Sequence, residues 1–207
     1  MPLISESDRS RIAAAITAAE QHTSGEIVAI IAPNSSSYLH VPFLWGALAA
    51  LAVPWPFVLF TWWPIQHIYL LQIAVFAALA LILLWPPLRL ALVPRSVRHR
   101  RAHRRAVEQF LAQNMHTTAG RTGVLIFVSM AERYAEILAD AGIHKRVAES
   151  DWQGIVDDLT KAMAEGRPGD GFVVAIEAVG KRLAQHFPPG SHDPHALPNH
   201  LIMLPSD

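Results

Sequence analysis

Val41-Pro42-Phe43-Leu44-Trp45-Gly46-Ala47-Leu48-Ala49-Ala50-Leu51-Ala52-Val53-Pro54-Trp55-Pro56-Phe57-Val58-Leu59-Phe60 runs for twenty residues without a charged side chain. As a helix it is about 30 Å long, the thickness of one hydrocarbon core. Residues 68–88 form a second apolar run of similar length, and Trp62-Trp63-Pro64-Ile65-Gln66-His67 between them reads as a tight turn. A soluble helix needs a polar face, and neither run has a charged one. The pattern therefore predicts a transmembrane helical hairpin over residues 41–88. Trp62, Trp63 and Tyr69 suit the far interface, Trp45 and Trp85 the near one. Pro54 and Pro56 predict a kink in the first span.

No Asp, Glu, Lys or Arg occurs in the 62 residues from 27 to 88. The 17 basic and 17 acidic residues all lie in the other 145, at an ordinary soluble density of about 23%. With 52% hydrophobic residues overall the chain is not disordered. It has no Cys, which removes disulfides, thiol nucleophiles and thiolate zinc sites. The first 23 residues carry Glu6, Asp8, Arg9 and Arg11 and no long apolar core, so they are not expected to act as a signal peptide.

Seven arginines, Arg89, Arg95, Arg98, Arg100, Arg101, Arg104 and Arg105, follow the second run before the first acid, Glu108. This positive-inside signal places the end of the second span in the cytoplasm, and an even number of crossings returns residues 1–40 there too. The expected location is the bacterial inner membrane with both termini cytoplasmic. The collar Arg95, Arg98, Arg100, Arg101, Arg104 and Arg105 reads as a helix against anionic lipid. A bare topology signal is the competing reading. Nucleic acid is not expected as a partner, because no recognition motif accompanies the arginines.

Outside the spans the pattern is α/β. Ser5 can cap a first helix, with Asp8 as capping-box partner and Ile12, Ala15, Ile16 and Ala19 on one face. Glu26-Ile27-Val28-Ala29-Ile30-Ile31-Ala32 reads as a central strand buried on both faces. A helix is expected over residues 98–115 and a second buried strand over 124–128. Residues 133–139 alternate as a hairpin partner. Ser150 with Gln153 predicts a capped helix ending at Gly166, and Asp170 a cap for the next, with Phe172, Ile176, Val179, Leu183 and Phe187 at helical spacing. Residues 1–40 hold too little to bury a core alone. The organisation expected is thus residues 1–40 as the first part of one domain, 41–88 as an inserted hairpin, 89–190 as the remainder, and 191–207 as a tail.

Three segments carry a family resemblance: Thr23-Ser24-Gly25-Glu26-Ile27-Val28; Arg121-Thr122-Gly123-Val124-Leu125-Ile126-Phe127-Val128-Ser129 with Glu132-Arg133; and Ile137-Leu138-Ala139-Asp140-Ala141-Gly142-Ile143 through Trp152 and Gly171. They resemble the TPM domain family, most closely its bacterial membrane-protein branch, in which a transmembrane hairpin interrupts the domain. The resemblance implies an α/β/α sandwich. Relatives act as acid phosphatases, bind divalent metal ions, serve photosystem repair or assist membrane receptors. Secreted relatives carry a Gly-Tyr-Gly-like turn where this chain has Asp140-Ala141-Gly142.

Candidate ligand or metal-binding residues are carboxylates and their neighbours. Asp140 stands at a strand end beside a small-residue turn, where open α/β sheets bind ligands. Glu132 and Arg133 lie at the opposite hairpin end, and Glu26 opens the first strand. Asp151, Asp157 and Asp158 read as a solvated helix face. His186, His192, Asp193, His195 and His200 crowd the tail, where His192-Asp193-Pro194-His195 could ligate zinc or nickel. No phosphate-cradling glycine loop or Gly-x-Ser-x-Gly elbow occurs. The reading that follows is a non-enzymatic interaction, assembly or maintenance factor. Its partners would be the bilayer and another membrane protein or multi-subunit membrane complex. The alternative is a phosphatase for phosphomonoesters, centred on Asp140 and assisted by a divalent cation. A membrane-surface sensor working through the arginine collar is a third.

Overall fold

In β1 (Glu26–Ala32) every residue is buried, because each face of the strand meets its own layer. Ile27, Ala29 and Ile31 pack with Ile12 and Ile16 of α1 (Glu6–Glu20), Leu159 of α8 (Ser150–Ala164) and Phe172, Ile176, Val179 and Leu183 of α9 (Pro168–His186). Val28, Ile30 and Ala32 pack on the other side with Ala106 and Phe110 of α6 (Arg95–Ala112) and with Met115. A strand that is apolar at every position is what two covered faces demand. The computed structural model describes residues 4–118, 120–189 and 199–205. The result is the α/β/α sandwich expected.

The sheet has the order β3-β2-β1-β4 among the described residues. β1 runs parallel to β2 (Gly123–Ser129), with Glu26 opposite Gly123 and Ala32 opposite Ser129. β3 (Tyr134–Ala139) returns antiparallel to β2. β4 (Ile202–Met203) adds a parallel edge on the other side of β1, and the Leu204 N–H extends it to the Ile31 carbonyl at 2.9 Å. This last strand was not expected from the sequence.

Several boundaries differ from the sequence reading. Ser5 caps α1 as foreseen, its Oγ accepting from the Asp8 N–H. Ser150 does not cap α8: Glu149 is already helical, and Gln153 donates instead to Asp157 at 2.8 Å. Asp170 does not cap α9, which opens at Pro168, a residue whose fixed φ suits a first helical position. Asp170 instead accepts from Arg11 of α1 at 2.7 Å, and that guanidinium holds its carboxyl below the usual aspartate range. The arginine helix starts at Arg95, just after Pro94, and stops at Ala112, before Asn114 takes a left-handed conformation. Gly166 ends the α8 segment with φ +74°.

The chain divides into two compact units, residues 1–36 with 99–207 and residues 37–98. In the second unit α2 (His40–Ala52) is followed by α3 (Pro54–Phe60), α4 (Ile65–Leu83) and α5 (Pro86–Ala91). Val53 keeps helical angles, so Pro54 interrupts the hydrogen bonding without ending the helix. Gly46 of α2 lets the Phe76 ring of α4 approach closely, and Phe57 stacks near Trp63 with ring centroids 5.2 Å apart. The turn is shorter than expected: Gln66 and His67 belong to α4, because Pro64 precedes its first residue. The second apolar helix ends at Leu83, five residues early, since Trp85 is extended ahead of Pro86-Pro87. Residues 40–60 and 65–83 form two helices long and apolar enough to cross a membrane.

Gly142 is the tightest backbone approach in the β3–α7 turn, where α7 is Ala141–His144. A Cβ there would collide with the carbonyl oxygens of Gly120 and Arg121, and the latter already accepts from the Gly142 N–H. Backbone cannot swing aside as a side-chain tip can. Gly142→Ala is therefore expected to lower stability by about 1–3 kcal/mol, read by denaturant unfolding in mild detergent.

Candidate functional site

β1 and β2 end side by side, and their pairing continues past the strands: Met130 N–H donates to the Ala32 carbonyl and Ala131 N–H to that of Pro33. The chain then turns through Arg133, which takes φ +50°. The turn folds Glu132 inward until it is 2% exposed. Its Oε1 accepts the Ser35 N–H at 3.0 Å, and its Oε2 accepts the Ser129 hydroxyl. The Ser35 hydroxyl donates in turn to Ser129 Oγ at 2.8 Å. A buried carboxylate is costly unless charge-assisted hydrogen bonds surround it, and these supply them.

Beside this knot runs the middle of α6. Arg101 Nη1 donates to Ser36 Oγ at 2.6 Å. Arg104 Nε donates to Glu108 at 3.2 Å, and Arg105 Nη1 lies 3.6 Å from the same carboxylate. With Ser35 and Ser36 these side chains line a cleft of about 280 Å³. Along α6, His103 Nδ1 donates to Glu136 of β3 at 2.8 Å, and the Tyr134 hydroxyl donates to Glu136 at 3.0 Å. Burial, and then the Glu136 charge, push that hydroxyl well above the ordinary tyrosine range. The His99 ring sits 5.2 Å from the ring of Tyr134.

Asp140 lies at the other end of the sheet. It follows the antiparallel strand β3 and donates its N–H to the Gly123 carbonyl, so it stands at the amino edge of the parallel pair. This differs from the carboxyl-edge setting inferred from its place at a strand end. Asp140 caps α7: Oδ1 accepts the Ala141 N–H at 2.6 Å, and its carbonyl accepts from Ile143 and His144. Oδ2 is buried without a hydrogen-bond partner among the described residues. Glu26, mostly buried, heads β1 on the same edge, its strand position facing Gly123.

The four ligand candidates thus divide into two pairs at opposite edges, Glu132 with Arg133 and Asp140 with Glu26. Asp157 and Asp158 are exposed and Asp151 half-buried on α8. Arg95 and Arg100 are exposed and Arg98 half-buried in the first turns of α6. His186 ends α9, and its carbonyl accepts from Arg146 at 2.9 Å. His200 precedes β4, whereas His192, Asp193 and His195 lie outside the described residues. Among the described residues no group of three or more His, Asp or Glu side chains is placed to hold a metal ion. The divalent cation implied by the resemblance does not fit this donor set, since Asp140 brings a single uncommitted oxygen.

Ser35, Ser36, Ser129 and Glu108 were not among the candidate site residues drawn from the sequence. Ser35-Ser36 follows Pro33 directly after a buried strand, and that position at a carboxyl edge was the available signal.

The TPM domain family matches residues 88–182. Over those residues the chain is similar to the TPM domain. The match takes in α6, β2, β3, α7 and α8 and most of α9, and leaves β1 outside. The NMR structure of BA42 protein from the psychrophilic bacterium Bizionia argentinensis is similar in fold, with a TM-score of 0.61 at 20% identity over 97% of this chain and 94% of that one. No curated protein matches the chain.

Glu132 ties the ends of β1 and β2 together. Glu132→Ala leaves the Ser35 amide and the Ser129 hydroxyl without their acceptor and is expected to cost roughly 2–4 kcal/mol by denaturant unfolding. Glu132→Gln, which keeps an acceptor oxygen, should cost less.

Proposed function

We propose that the chain is an integral inner-membrane protein whose helical hairpin anchors the TPM domain in the cytoplasm, where the domain serves assembly or maintenance of a membrane protein complex. The observation that carries the anchor is exposure. Only 11% of each apolar window is buried, and Trp55, Leu59, Phe60, Tyr69, Leu70, Ile73 and Leu81 are all exposed. A helix of a soluble core would hide such residues, whereas lipid solvates them. The arginines of α6 support a cytoplasmic orientation. The interaction role draws on the shortage of catalytic groupings around Asp140 and Glu132 and on the tether itself.

Because the chain has no Cys, single cysteines label on a clean background. Ser7→Cys and Ser150→Cys are expected to react with a membrane-impermeant maleimide only after the cytoplasmic face is opened, and Trp62→Cys from outside. Ends labelled on opposite faces would refute the topology. Purification in mild detergent should bring down a second membrane protein in fixed ratio, and a chain that always migrates alone contradicts the assembly role.

Phosphomonoester hydrolysis remains the second reading, favoured by one observation, the buried unpartnered Oδ2 of Asp140. It requires phosphatase activity that Asp140→Asn abolishes while the fold survives; activity retained in that variant removes Asp140 from the reaction.

A further inference from the structure

The carboxyl edge of β1 and β2 holds a different chemistry from the Asp140 edge. Three arginines, Arg101, Arg104 and Arg105, line the cleft together with Glu108, Ser35 and Ser36. The nearby Glu132 directs its oxygens to Ser35 and Ser129 at the strand ends. We propose that this cleft binds a phosphate group, presented by an anionic lipid headgroup or by a soluble phosphate ester.

Four features carry the assignment. The planar guanidinium fork matches phosphate oxygens two at a time, so clustered arginines suit phosphate better than a point anion. Ser36 Oγ accepts from Arg101, which orients that guanidinium and turns the serine proton toward other acceptors, such as a ligand oxygen. The Ser35–Ser129–Glu132 chain holds the serine loop rigid beneath it, because each hydroxyl proton in it has a fixed acceptor. The cleft lies outside the carboxyl ends of parallel strands, where open α/β sheets bind ligands. The lipid source rests on the anchor reading, because Ser36 precedes His40, the first residue of α2, by four positions. Phosphate binding itself does not rest on it, since every lining residue belongs to the unit made of residues 1–36 and 99–207.

Inorganic phosphate is the probe. The full chain in zwitterionic detergent is titrated with it at constant ionic strength, with chloride as reference, and thermal unfolding is followed. A saturable rise in Tm is expected. The Arg101→Gln/Arg104→Gln double variant should weaken the apparent affinity at least about tenfold. Arg104 is exposed, so Arg104→Gln alone tests the cleft without disturbing packing and should weaken binding severalfold. Arg182→Gln, an exposed change on α9, should leave it intact. No saturable rise, or one that the double variant keeps, overturns the site.

A second arm separates the sources. In nanodiscs containing phosphatidic acid the response to inorganic phosphate should weaken about tenfold relative to phosphatidylcholine nanodiscs, because the headgroup already occupies the cleft. An unchanged response overturns the lipid source and leaves soluble phosphate as the ligand. Should the chain stay dispersed without detergent, the anchor reading fails, and the first arm, run in buffer, still decides the cleft.

Discussion

Seven residues of β1 lie in parallel register with seven of β2, Glu26 opposite Gly123 and Ala32 opposite Ser129. On this pairing the rest of the domain depends. Closing so long an interval costs entropy, yet the cost rises only with the logarithm of loop length. The return is large, because both faces of both strands are buried against helices. Each strand therefore gains from the ladder and from both covering layers. That is why an insertion of two whole apolar helices and a charged helix leaves the sheet continuous.

The two ends of this ladder are finished differently. At the amino edge Glu26 N–H donates to Thr122, Asp140 N–H to Gly123 and Gly142 N–H to Arg121, while the buried Glu20 carboxylate accepts from Ile27 N–H and Thr122 Oγ1 donates to the Ser24 carbonyl. Asp140 spends one oxygen and its carbonyl on starting α7. At the carboxyl edge side chains do the closing, through Glu132, Ser35 and Ser129, and α6 adds arginines above them. The proposed phosphate cleft lies at the opposite end of these strands from Asp140.

Much of this fold could be read from the residues. β1 and β2 declare themselves by unbroken apolar character, because two covered faces leave no position for polarity. α9 is equally plain from the spacing of Phe172, Ile176, Val179 and Leu183. β4 could not be read, since two residues after a stretch rich in proline and histidine carry no period. Ser150 and Asp170 look like caps in sequence, but the preceding backbone in one case and Pro168 in the other shift where the helix begins. The candidate site was half legible. A lone Glu132 in a turn shows its charge, but its burial depends on Ser35, 97 residues away, which no local pattern reports.

The gap between the paired strands also orders events in time. A ribosome delivering roughly 5–20 residues per second needs several seconds to make residues 33–122 after β1 has emerged. Throughout that delay the apolar ribbon of β1 has neither of its neighbours in the sheet, for β2 and β4 are still unmade. The sheet therefore cannot close until the two apolar helices and α6 have been made. Whatever shields the nascent ribbon in those seconds, whether translocase, chaperone or α1 itself, governs how much of the protein escapes aggregation.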